Sequence, residues 1–179
     1  GYLVPRAHAV AYVMMEFRIA WFKVYQPLAY YAAYFTIRAE GSFNAPVILK
    51  GLESQQAELA RIAALEHSTA VEKGNATVIE VAAEMYLRGM EFLPIDLDRS
   101  DASEFKMVDG KLLPPFNCIP ALGDAVAKEI VRARGEHLFT SKEDLKKRGK
   151  VSQSIIDTMD SMGILKNMPD EEQISLFSF

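Results

Sequence analysis

The chain has 179 residues, 50% hydrophobic and 25% charged, with a formal net charge of −4. That composition suits one soluble domain, or a domain with an appendage, and the length is enough to bury a core. No apolar run is long enough to span a bilayer, the start lacks a signal-peptide layout, and the lone cysteine, Cys118, cannot pair within the chain; a secreted disulfide scaffold is excluded and a reducing cytoplasm fits. The abrupt opening, which runs straight into a helical pattern at Arg6, leads us to expect a piece of something larger.

Residues 8–24 predict a helix with Val10, Val13, Met14, Phe17, Trp21 and Val24 on one face. His8, Tyr12, Glu16, Ile19 and Lys23 line the other. His8 and Tyr12 stand one turn apart with Arg6 just before them, a grouping suited to an anionic or stacking ligand; the plainer reading buries Tyr12 between packed layers. Pro27 fits the first position of a second helix, 27–38, whose Tyr30, Tyr31, Tyr34 and Phe35 suit a core better than a stacking platform. Residues 40–46 read as a linker and 52–67 as a third helix. Gly74 and Asn75 are expected to break the chain, with Asn75 or Thr77 capping a fourth helix to Leu87 and Gly89 stopping it.

The pattern then changes. Residues 91–97 look extended, and Asp109-Gly110 between 104–108 and 111–113 is a hairpin signal. The expected class is mostly α with a small antiparallel β element (α+β).

Residues 117–134 read as a short helix end, a turn holding Pro120 and Gly123, and an amphipathic helix. Val126, Ile130 and Val131 are expected inside, with Lys128, Arg132 and Arg134 towards water. This resembles a helix-hairpin-helix, in which backbone N–H groups at a helix start hold a phosphate without reading bases. Ser141 with Asp144 resembles a capping box for a helix over 142–148, and Gly149-Lys150-Val151-Ser152 is another turn, with Ser152 placed to cap a helix to Met162. A second, degenerate copy thus completes a tandem module over 117–163. Its expected DNA contacts are Leu122, Gly123, Asp124 and Lys128 from the first copy and Lys147, Arg148, Gly149 and Lys150 from the second. Basic residues concentrate between 128 and 150 in an otherwise acidic chain, as a polyanion-binding face requires.

The last residues pass from acidic to apolar. Gln173-Ile174-Ser175-Leu176-Phe177 resembles the peptide by which bacterial replication proteins bind the sliding clamp, although such a pentapeptide could also pack on its own domain.

These parts keep a familiar order. Residues 5–12 and 21–28, with Phe35-Thr36-Ile37-Arg38-Ala39 and Asp101-Ala102-Ser103-Glu104-Phe105, look like the end of the fingers and the duplex-binding domain of C-family bacterial replicases; with the terminal motif, the chain resembles the C-terminal part of the PolC-type DNA polymerase III alpha subunit. The resemblance implies residues 1–39 as the end of the fingers, 40–168 as a duplex-binding domain and 169–179 as a flexible clamp-binding tail. It implies Arg6, His8 and Tyr12 near the incoming deoxynucleotide, a primer–template duplex along the hairpins, and Gln173, Ile174, Leu176 and Phe177 on the clamp. The intact polymerase would use Mg2+; the metal-binding carboxylates of the palm would precede residue 1, so this part should be inactive alone and need no cofactor of its own. One departure stands out: Ala121 occupies the usual first glycine of the hairpin, where a methyl group limits positive φ. The rival readings are a free-standing helix-hairpin-helix scaffold without a polymerase role, and a helical protein-interaction domain.

Overall fold

The computed structural model describes residues 5–39 and 41–171. Helix α1 (Arg6–Tyr25) ends at Gln26, whose N–H donates to Phe22 O at 2.8 Å, and α2 (Pro27–Arg38) starts at the next residue. Pro27 suits that place because its fixed φ is helical and a first-turn N–H has no helical acceptor. The expected linker holds a turn at Gly41 and runs, before its end, into a short helix, α3 (Ala45–Ile48). Next come α4 (Leu52–Ala63) and α5 (Ala70–Leu87).

Helix α5 starts earlier than the sequence suggested, and Gly74 and Asn75 lie inside it. The Thr69 hydroxyl accepts from Glu72 N (3.2 Å), and the Glu72 carboxylate accepts from Thr69 N (2.8 Å). This reciprocal cap satisfies two otherwise unpaired donors and outweighs a mid-helix glycine, which costs ~1 kcal/mol. A Cβ on Gly74 would come 3.3 Å from Ser42 Oγ, so the small residue also lets the 41–44 turn approach the helix. Gly89 ends α5 as expected: with φ +82° it donates to Tyr86 O (2.9 Å), while Met90 donates to Met85 O (3.1 Å).

Strands β1 (Lys106–Val108) and β2 (Lys111–Leu113) pair antiparallel through Asp109 and Gly110, both at positive φ, as a tight hairpin turn requires. The extended stretch before them joins as a third edge: Leu93 N donates to Leu112 O at 2.7 Å and Leu112 N to Glu91 O at 3.1 Å. A 3-10 turn over Phe116–Cys118 leads to α6 (Asp124–Glu136), α7 (Lys142–Arg148) and α8 (Gln153–Ser161).

One continuous core runs from α2 to α8 and includes Tyr31, Ile79, Leu112, Ile130, Leu145 and Met159. At its centre Phe35, Phe43, Phe92 and Phe105 all touch one another, with ring centroids 5.1–5.9 Å apart. Phe105 N also donates to Thr36 Oγ1 at 3.0 Å, so the stretches 35–39 and 101–105, far apart in sequence, meet here. Helix α2 is part of this core through Tyr31 and Phe35.

Helix α1 stands outside the core. None of its residues is buried, and Val10, Val13, Met14, Phe17, Trp21 and Val24 are all exposed, so the partner expected for that face is not among the described residues. Polar contacts hold its C-terminal end: Lys23 Nζ lies 2.8 Å from Glu84, Arg88 donates to Lys23 O (2.8 Å), and Tyr31 OH donates to Glu84 (2.7 Å).

Candidate nucleic-acid interface

Two turns carry the site, and they share one backbone path. In the first, Ala121 has φ +64°, Leu122 is buried, and Gly123 (φ −80°, ψ 163°) is the N-cap of α6. In the second, Lys150 has φ +54°, Val151 is buried, and Ser152 (φ −71°, ψ 158°) is the N-cap of α8. A left-handed residue turns the chain, an apolar residue pins the turn to the core, and an extended residue opens the helix. Neither helix start carries a side-chain cap; Ser152 Oγ sits 3.0 Å from Ser154 Oγ and does not close on a helix N–H as expected. The first amides of both helices therefore keep the partial positive charge that attracts anions.

The glycines of the turns differ in purpose. At Gly149 a Cβ would lie 2.7 Å from Leu145 O, so a side chain there would push the turn off α7; its own N–H is taken by Leu145 O at 2.9 Å. At Gly123 a Cβ would meet nothing within 4 Å, and its φ admits any residue. Internal packing does not require glycine there; what it preserves is open space over the start of α6. The Asn117 side-chain amide donates to Asp124 Oδ1 at 3.1 Å and holds that carboxylate against the chain entering the turn.

The charges sort into two groups. Lys128 and Lys147 are exposed and make no ion pair or hydrogen bond among the described residues, and Lys150 is exposed with Nζ 3.3 Å from Glu129 Oε1. The arginines act internally. Arg134, expected towards water, donates to Leu97 O (3.0 Å) and Ser100 O (2.7 Å) and lies over the Phe116 ring. Arg148, expected at the duplex, binds Asp144 (2.9 Å), Ala133 O and His137 O and covers the Phe139 ring. Both guanidiniums satisfy carbonyls that helix ends and turns leave unpaired, a use open to a long side chain with five donors. Arg132 pairs with Glu129 and Glu136 on its own helix. Glu129, half-buried, is the ionic link between the two copies; hydrogen bonds from Arg132 and then Lys150 hold its carboxyl down at about 2. Leu122 and Cys118 are packing residues, and burial pushes the Cys118 thiol far up, away from nucleophilic chemistry.

Residues 89–174, which bracket both turns, match the helix-hairpin-helix motif family. Over 98% of its length the chain is 49% identical to the PolC-type DNA polymerase III of Thermotoga maritima, 46% to that of Clostridium perfringens and 49% to that of Bacillus subtilis. The chain is the counterpart of a segment of PolC-type DNA polymerase III. It spans 12–13% of the length of the curated relatives it matches.

The other residues singled out by the PolC resemblance lie apart from the turns. Arg6, His8 and Tyr12 are exposed on α1, and the His8 and Tyr12 rings meet edge to face with centroids 4.5 Å apart. Gln173, Ile174, Leu176 and Phe177 lie outside the described residues. No helix among the described residues is long and apolar enough to cross a membrane. No group of three or more His, Cys, Asp or Glu side chains among the described residues is placed to hold a metal ion.

Ala121→Gly should raise stability by roughly 0.5–1 kcal/mol, because relief of a left-handed alanine exceeds the entropy that glycine adds to the unfolded chain. Urea unfolding reads this directly; a loss of stability would contradict the turn geometry. Glu129 offers a pH test. Its folded value lies below the ordinary 4.5, so its contribution is present above that value and is lost as pH falls towards about 2. The Tm gap between wild type and Glu129→Gln should therefore be widest near neutral pH and narrow through the acid range. A gap that stays constant would remove the carboxylate from this role.

Proposed function

We propose that this chain grips the backbone of primer–template DNA behind the active site of a replicative polymerase. The observation that carries the reading is the repeated turn: two helix starts, each opened by the same left-handed, buried, extended sequence of residues and each left without a side-chain cap. Two such starts, linked through Lys150 and Glu129, offer backbone N–H groups to phosphates on a duplex, with Lys128, Lys147 and Lys150 adding charge around them. Gly123 leaves the approach open and Asp124 is held aside. Leu122, Gly149 and Arg148 keep the turns in place rather than touching DNA. The grip has no base preference, and its affinity falls steeply with salt because phosphate contacts release counterions.

The wider assignment follows the relatives named DNA polymerase III PolC-type. In that setting residues 1–39 belong to the fingers, with Arg6, His8 and Tyr12 towards the incoming nucleotide, and 40–168 to the duplex-binding part. Residues 169–179 serve as a tail that binds the sliding clamp through Gln173, Ile174, Leu176 and Phe177. The intact, cytoplasmic enzyme performs Mg2+-dependent nucleotidyl transfer, while this segment supplies grip and processivity and has no polymerase activity alone. Tethering raises the effective concentration of enzyme at the primer end without altering its chemistry.

Fluorescence anisotropy with a primer–template duplex across a salt series tests the grip. Gly123→Asp should weaken binding at least about tenfold for every sequence, as charge and bulk enter a backbone contact, while urea unfolding stays near wild type. Undiminished affinity would sink the assignment of the first turn. Leu176→Ala with Phe177→Ala should abolish clamp binding and leave duplex affinity intact; a tail that keeps its clamp affinity without these side chains is not the clamp peptide.

A further inference from the structure

Beyond α8 the chain returns to α7. The Lys142 and Glu143 N–H groups donate to Pro169 O (2.9 Å) and Asp170 O (3.0 Å). The Lys142 ammonium lies 3.0 Å from the Asp170 carboxylate and 3.1 Å from Asp160 on α8. Asp170 and Glu171 thus line, with Lys142, Glu143, Lys146, Lys147 and Gln153, a groove of about 560 Å3. The groove adjoins the second turn: Lys146 O accepts from Val151 N at 3.2 Å, and Lys146 Nζ donates to Gln153 Oε1 at 3.1 Å. Three lysines and Glu143 of one short helix therefore share a groove with the two carboxylates of the segment that follows α8.

We propose that the segment 169–171 is a built-in competitor for DNA phosphates, occupying the lysine groove of α7 in the free protein and yielding it when duplex binds the second turn. This rests on the reading of the turns as a duplex grip. The backbone hydrogen bonds set where the segment lies, and the carboxylates decide what it excludes. The Asp170 side chain is 86% exposed, so its ion pair is of the weak, solvent-screened kind. A duplex brings a dense row of phosphates and gains from counterion release, so it displaces such a pair readily. The contact lowers affinity without abolishing it, and bears hardest on weak, single-turn encounters.

The test uses the full chain with Asp170→Asn and Glu171→Gln combined, beside a control in which the exposed Glu53 and Glu66 become Gln. Duplex anisotropy at low salt should show the first variant binding about two- to tenfold tighter than wild type, as loss of weak exposed pairs allows, and the control unchanged. In wild type, amide hydrogen exchange at Lys142 and Glu143 should quicken on adding duplex. Equal affinity of the first variant and wild type, an equal gain in the control, or unaltered exchange at both amides would overturn the competitor while leaving the grip standing. Absence of duplex binding in every protein would overturn the grip and the competitor with it.

Discussion

Phe35, Phe43, Phe92 and Phe105 come from four separate stretches, and each ring touches the other three. They bring together α2, the turn after it, the extended edge and the start of the β hairpin. From that centre the loop at 101–105 passes order on to the first turn: Asp101 O accepts from Phe116 N (2.9 Å) and Ala102 O from Asn117 N (3.1 Å). Asn117 in turn holds Asp124. A packed aromatic centre thus reaches the proposed phosphate contact through two backbone bonds and one side-chain bond. Aromatic rings suit this role because they bury much area in a defined geometry.

The second turn has a different foundation. Arg148 ties α7 to the end of α6, and Glu129 with Lys150 ties the second turn to the flank of the first. The geometry of one copy therefore constrains the other. Ala121 and Lys150 hold left-handed conformations that L-residues resist, and each is followed by a buried apolar residue that the core retains. Packing imposes the turn on residues that do not favour it.

Much of this was legible in the residues. Helical spacing and Pro27 located α1 and α2, Asp109-Gly110 located the hairpin, and Ser141 and Gly149 bounded α7. What failed to show depends on neighbours distant in sequence. The cap at Thr69 outweighed the local signal of Gly74, though Thr-x-x-Glu was there to be seen. Arg134 and Arg148 looked like solvent-facing charge because local spacing cannot show which carbonyls lack partners elsewhere in the fold. Ala121 read as a weakness of the first hairpin; its likeness to Lys150 emerges only when the two turns are superimposed residue by residue.

Helix α1 is a rod of 20 residues fastened near Lys23 at one end. At the usual rise it is about 30 Å long. A tilt of about 5° at the fastening sweeps its far end, where Arg6 and His8 sit, through roughly 2.6 Å, about the length of a hydrogen bond. The fastening consists of Glu84, Arg88 and Tyr31, and Tyr31 belongs to the same core as the hairpins. In mechanical terms α1 is a lever with its fulcrum on the body that carries the hairpins, and a small strain in that body becomes a large displacement at the tip.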